Sequence, residues 1–118
     1  ISAEFKEKDS TPSNIASLFD QLGTNFGNGW RAVDWFGSYC LNVSGWIYHF
    51  EHGWIYPVGE NLDSIWYWDN SLGWLWMNQT VYPFVYQNES KGWLYFQRDS
   101  QKPRKFYNYK KEIWFKVQ

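Results

Sequence analysis

Gly53-Trp54-Ile55-Tyr56, Gly73-Trp74-Leu75-Trp76 and Gly92-Trp93-Leu94-Tyr95 repeat one pattern, with tryptophans 20 and then 19 residues apart. A fourth copy, Ile113-Trp114-Phe115-Lys116, follows after 21 residues and lacks the glycine, which marks it as a terminal variant. Eight residues before these tryptophans stand Trp46, Trp66, Val85 and Phe106, followed by Ile47, Tyr67, Tyr86 and Tyr107. Each unit therefore reads as an apolar strand, a short polar turn ending in glycine, and a second apolar strand. Such a period marks supersecondary units that bury a core only against their neighbours.

The residues between the strands have hairpin chemistry. In Asp69-Asn70-Ser71-Leu72-Gly73 and Gln87-Asn88-Glu89-Ser90-Lys91-Gly92, Asp or Asn opens a turn and Gly accepts positive φ. Strands are predicted over residues 32–41, 45–50, 53–57, 64–68, 73–77, 82–87, 92–96, 105–109 and 112–117. Composition makes residues 23–29 a loop and residues 58–63 a longer connection between units. Alternation puts Trp54 and Tyr56 on one face and Ile55 on the other, and the next two copies repeat this around Leu75 and Leu94. Strands apolar on both faces do not suit a flat sheet with one side in water. The expected fold is all-β, a meander of aromatic hairpin repeats forming a solenoid-like stack or a small barrel.

Two segments divide the chain. Residues 1–23 form an arm and a capping helix, and residues 24–118 form the repeat domain. The helix is predicted over residues 12–22, with Thr11 as N-cap, Pro12 in the first turn and Gly23 beyond the end. Ile15, Leu18, Phe19 and Leu22 give it one apolar stripe, which covers an end of the β core.

Composition narrows the function classes. Aromatic residues make up 24% of the 118, Trp alone occurring 10 times, so complete burial of all of them in so small a domain is not expected. Buried or half-buried, Trp and Tyr still present an N–H or O–H that wants a partner. The mean hydropathy of -0.62 reflects scales that score Trp and Tyr as polar. A formal net charge of -1 gives no global field for nucleic acid or an anionic membrane. The basic stretch Lys102, Arg104, Lys105, Lys110, Lys111 and Lys116 lies among Phe106, Tyr107, Tyr109 and Trp114. It reads as solvated charge that blunts a terminal sheet edge rather than as a nucleic-acid groove. No apolar run reaches the length of a membrane-spanning helix, so no membrane insertion is expected. Cys40 is the only cysteine and forms no intrachain disulfide.

The Gly-Trp-(Ile/Leu)-(Tyr/Trp) units resemble the aromatic repeats of choline-binding and glucan-binding surface proteins. That likeness implies stacked hairpins with ligand cages near Trp54, Trp74 and Trp93. The stretches Trp35-Phe36-Gly37-Ser38-Tyr39, Trp46-Ile47-Tyr48-His49-Phe50-Glu51-His52-Gly53-Trp54-Ile55-Tyr56-Pro57, Ile65-Trp66-Tyr67-Trp68-Asp69 and Phe106-Tyr107-Asn108-Tyr109 are more similar to aromatic tail modules of very large bacterial secreted proteins. This second resemblance spans Trp35 to Trp114 and implies an extracellular or cell-surface setting.

Catalytic and metal chemistry find little support. His49, Glu51 and His52 flank the first repeat turn, but strand alternation and the turn splay such side chains apart. They read as polar turn contacts, with no metal and no cofactor. No pair of carboxylates has spacing that nominates a glycosidase, no serine sits in a nucleophile elbow, and Cys40 has no neighbouring histidine in sequence. The expectation is a non-catalytic module whose ligand-binding residues are Trp54, Tyr56, Trp74, Trp76, Trp93 and Tyr95. Its partner is a glycan or cell-envelope polymer, with copies of itself in a filament or surface layer as the alternative. At least one of Tyr56, Trp76 and Tyr95, nearer the strand ends, is expected to be substantially exposed and to form a ridge or cage with a neighbouring repeat.

Overall fold

A computed structural model describes residues 19–118. Among them the chain forms eleven strands in one antiparallel sheet, whose spatial order is the order of the sequence. They are β1 (Thr24–Gly27), β2 (Trp30–Val33), β3 (Gly37–Leu41), β4 (Ile47–His49), β5 (Gly53–Asn61), β6 (Ser64–Asp69), β7 (Gly73–Met77), β8 (Phe84–Gln87), β9 (Gly92–Gln97), β10 (Arg104–Asn108) and β11 (Ile113–Val117). The architecture is the all-β hairpin meander that the repeat predicts. It is an open sheet and not a closed barrel: among the described residues β1 and β11 each pair on one side only.

Four hairpins, β4–β5, β6–β7, β8–β9 and β10–β11, share one internal arrangement. Tyr48 lies opposite Trp54, Trp68 opposite Trp74, Tyr86 opposite Trp93 and Tyr107 opposite Trp114. The adjoining pairs, Ile47–Ile55, Tyr67–Leu75, Val85–Leu94 and Phe106–Phe115, point to the other face and pack into the core. Each strand thus buries one aliphatic or aromatic set while displaying a second.

A polar residue closes every one of these turns. His49 Nδ1 accepts the amides of Glu51 and His52, Asp69 Oδ1 those of Ser71 and Leu72, and Asn108 Oδ1 that of Lys111, while Gln87 Oε1 accepts the Ser90 hydroxyl. Three residues separate His49 from Gly53 and Asp69 from Gly73, whereas four separate Gln87 from Gly92 and Asn108 from Ile113. In the shorter loops the left-handed residue is the glycine itself, Gly53 at φ 75 and Gly73 at φ 80. In the longer ones it falls one place earlier, on Lys91 at φ 57 and Glu112 at φ 58. The fourth copy therefore dispenses with its glycine because of loop length, not because it is terminal. The added loop residue also corrects the alignment of the repeats. Counting back eight residues groups outward Trp46 and Trp66 with inward Val85 and Phe106, since a one-residue slip exchanges the faces of a strand.

Strands β4 and β8 each start two residues later than expected, at Ile47 and Phe84, and three differences are larger. The run over 32–41 breaks into β2 and β3 at a turn, where the Phe36 amide donates to the Val33 carbonyl at 3.1 Å and Gly37 has φ 104. Trp35 and Phe36 look strand-like in sequence because their rings pack on the core from that turn. Residues 24–27, loop-like by composition, pair with β2, Thr24 facing Ala32. β5 runs on to Asn61 through an irregularity between Gly59 and Asn61, so residues 58–63 hold a tight hairpin, not a long connection.

The sheet curls so that distant parts of its inner face meet. Arg98 Nη2 donates to the Asp34 carbonyl at 3.2 Å, Gln101 Nε2 donates to that of Phe50 at 3.4 Å, and the Glu51 carboxylate accepts the Asp99 amide. The helix expected over residues 12–22 lies largely outside the described residues. Of its apolar stripe, Phe19 is fully buried against Phe36 and Tyr39, and the Tyr39 hydroxyl donates to the Phe19 carbonyl at 2.6 Å.

Candidate functional site: an outward aromatic diagonal

The outer face of the sheet is an aromatic surface ordered by the register. Trp68 and Trp74 align with Tyr56, not with Trp54. Tyr86 and Trp93 align with Trp76, and Tyr107 and Trp114 align with Tyr95. Each Gly-Trp tryptophan therefore stands two strands across and two residues along from the preceding one. Strand geometry makes that step about 10 Å by about 7 Å, or roughly 12 Å in all. Trp54, Trp74, Trp93 and Trp114 form this diagonal, 47%, 36%, 39% and 55% exposed respectively.

Each is braced edge-on by its cross-strand partner. The ring centroids are 5.3 Å apart for Tyr48–Trp54, 5.6 Å for Trp68–Trp74, 5.6 Å for Tyr86–Trp93 and 5.3 Å for Tyr107–Trp114. Edge-to-face pairs at such distances are favourable beyond the area they bury. Among the described residues the indole N–H groups of Trp68 and Trp76 donate to Asn70 Oδ1 and Ser64 Oγ, while those of the four diagonal tryptophans have no protein acceptor.

Tyr56, Trp76 and Tyr95 lie on the same face but all three are half-buried, so none has the substantial exposure expected, although Trp76 and Tyr95 each meet the tryptophan of the next repeat, Trp93 and Trp114, at 6.3 Å. Trp76 has Trp66 on one side and Tyr86 on the other, and Tyr95 has Phe84 and Tyr107, so aromatic neighbours cover both flanks. Tyr56 packs on Trp46 at 5.3 Å and faces Trp68. The diagonal tryptophans sit beside turns, where the residues across from Trp74 and Trp93 on the far side are Asn88 and the exposed Tyr109.

Two shallow depressions border the diagonal. One of about 340 Å³ is lined by Val58, Trp66, Trp74 and Asn88. The other, about 680 Å³, is lined by residues 80–84 with Trp93 and Tyr109. Both have an aromatic wall and a polar rim, the composition of a site for an amphipathic ligand. The six expected site residues are thus on one face, but strung along it rather than gathered in a cage. Sequence reasoning left out Trp114, Phe84, Tyr109 and Asn88. Trp114 was legible as a repeat member; the others are placed by strand pairing.

The histidines belong to the inner face. The turn brings His49 and His52 together, ring centroids 4.6 Å apart, instead of splaying them. His49 Nε2 donates to the Phe36 carbonyl at 2.7 Å, since its Nδ1 is already an acceptor. His52 Nδ1 accepts from Arg104 Nη1 at 2.8 Å, leaving Nε2–H for the Tyr82 hydroxyl at 2.7 Å. Burial, helped by Arg98 and Arg104, holds His49 down to about 4; burial, with His49 and the same two arginines adding to it, holds His52 well below the usual range. Both rings are neutral, and all four ring nitrogens are engaged. Tyr67 and Tyr82 are raised by burial, and the Tyr67 hydroxyl has no partner among the described residues. The Glu51 carboxylate is raised by burial and is committed to the Asp99 amide. This cluster ties distant parts of the curled sheet together.

Comparison with protein-family models, curated proteins and solved structures returned no match. No helix of the described residues is long and apolar enough to cross a membrane.

Proposed function

We propose that this chain is a non-catalytic, extracellular binding module that recognises a glycan or cell-envelope polymer through its outward tryptophans and tyrosines. The observation that carries this reading is the diagonal of Trp54, Trp74, Trp93 and Trp114, evenly stepped, each braced by its cross-strand aromatic and partly open to solvent. A pyranose ring presents an apolar C–H face to the negative face of an indole and its hydroxyls to groups at the edge. Asn88 beside Trp74, Thr80 near Trp93 and the indole N–H groups suit those hydroxyls. A step of roughly 12 Å spans a few sugar rings and favours an extended polymer over a single small molecule. The similarity of the repeat to tail modules of bacterial secreted proteins supports the extracellular setting.

A glycan array read alongside light scattering tests the proposal. Binding by a species that stays small supports it. Growth into large species without binding transfers the aromatic face to the second reading, a self-associating subunit, for which the edge of β11, paired on one side only among the described residues, offers a template.

A further inference from the structure

The outer face breaks its own pattern at one place. Two residues beyond each diagonal tryptophan stands Tyr56, Trp76, Tyr95 or Lys116. The first three pair with an aromatic across the hairpin: Tyr56 with Trp46, Trp76 with Trp66, and Tyr95 with Phe84. In the last hairpin both members are lysines, Lys105 directly opposite Lys116, and both are exposed. Like charges directly opposite on neighbouring strands destabilise a sheet. Among the described residues neither ammonium forms an ion pair; the pair present is Arg104–Asp69, on the inner face. Lys105 also flanks Gln97 on β9, a further polar group in the same row. Tyr107 and Trp114 stand two residues away on the same strands and the same face, about 7 Å from the lysines.

From this placement we infer that the polymer is anionic, and that Lys105 and Lys116 hold one of its acidic groups at the end of the aromatic diagonal. The inference rests on the reading of the diagonal as a polymer site. A carboxylate or phosphodiester between the two ammonium groups removes their repulsion and gains two charge-assisted contacts, while Trp114 and Trp93 take the adjoining sugar rings. Neutral sugars leave the lysine pair as it is in the free chain, so the contact favours an acidic chain without altering the binding of a neutral one.

The test uses the whole chain and a matched pair of polymers, polygalacturonate and its methyl ester, followed by Trp fluorescence, with poly(glycerol phosphate) as the phosphodiester arm. The expected result is at least tenfold tighter binding of an acidic polymer than of the neutral ester, weakened by salt. K105Q/K116Q should abolish that preference and leave ester binding unchanged, and K105R/K116R should restore it. The melting temperature of free K105Q or K116Q should rise as affinity falls, a combination that mere protection of the edge strand does not give. If the double variant self-associates, the single variants, each keeping one cation on the hairpin, carry the measurement. Equal binding of acid and ester, unaffected by the lysines, overturns the inference and leaves the glycan reading standing. Tightest binding to single-stranded oligothymidylate overturns it in favour of nucleic acid. No response to any polymer removes the glycan reading as well.

Discussion

Arg104 on β10 reaches across the curled sheet to Asp69 on β6, its Nη1 donating to Oδ2 at 2.7 Å, with the two side chains 6% and 2% exposed. The same Nη1 lies 2.8 Å from His52 Nδ1, and Asp69 Oδ1 meanwhile accepts two amides of the β6–β7 turn. One buried contact therefore ties the second repeat to the fourth and both to the first. Removing one partner leaves an uncompensated charge in the core. Arg104→Met is expected to cost about 3–5 kcal/mol in urea denaturation. Arg104→Met with Asp69→Asn should recover part of that loss, because the amide keeps the turn's acceptor and the charge is gone. A double-mutant cycle without coupling would contradict the role given to the pair.

The buried histidines set an acid limit on stability. Folding holds both neutral, so below the unfolded value of about 6.5 the unfolded chain binds more protons than the folded one. Stability is constant with respect to these groups above that pH and declines as pH falls from about 6.5 towards 4, where His49 titrates in the fold. His49 alone accounts for a loss on the order of 3 kcal/mol across that window. The raised Glu51 carboxyl acts in the opposite sense at its acid end. Urea midpoints at pH 7.5 and 4.5 measure the slope, and His52→Gln should flatten it.

Loop length, not repeat consensus, decides where glycine is useful. Lys91→Gly and Glu112→Gly replace left-handed side-chain residues and should stabilise the chain by about 0.5–1 kcal/mol each. Ile113→Gly, which restores the sequence motif, should destabilise it, because position 113 has no positive φ to relieve. Thermal melts of the three variants distinguish the two accounts of the missing glycine.

The two faces of one strand should respond oppositely to truncation. Leu75→Ala and Leu94→Ala empty fully buried positions and are expected to cost about 2–5 kcal/mol. Trp74→Ala and Trp93→Ala should cost less stability and should weaken polymer binding by tenfold or more in a fluorescence or calorimetric titration. Trp variants that bind as the parent does would remove the diagonal from the site.

Tyr67 carries a fully buried hydroxyl without a partner among the described residues. Tyr67→Phe keeps the ring between His52 and the core and discards the unsatisfied oxygen, so it should be neutral or stabilising by up to about 1 kcal/mol. A clear loss of stability would show that the oxygen is satisfied in solution.

The sequence by itself determined the all-β meander, the equivalence of Trp54, Trp74 and Trp93, and the two-faced strands, because these depend on local alternation and on turn residues close in the chain. It also named six aromatics of the candidate site, Trp54, Tyr56, Trp74, Trp76, Trp93 and Tyr95, but not Trp114, Phe84 or Tyr109. Tertiary structure decided what depends on register and curvature. One added loop residue shifts the third and fourth hairpins relative to a constant spacing, so Phe84 and the Lys105–Lys116 pair, not Val85 and Phe106, lie outward with Trp46 and Trp66. Exposure followed neighbours rather than strand position: Tyr56, Trp76 and Tyr95 lie between aromatics of adjoining strands, while Trp74 and Trp93 face turn residues, Asn88 and Tyr109, on one side. The histidines met because the turn folds His52 back over His49, and Arg104 reached them because the sheet curls. Those contacts join residues 35 and 52 positions apart in the chain, a separation at which no local pattern records who will face whom.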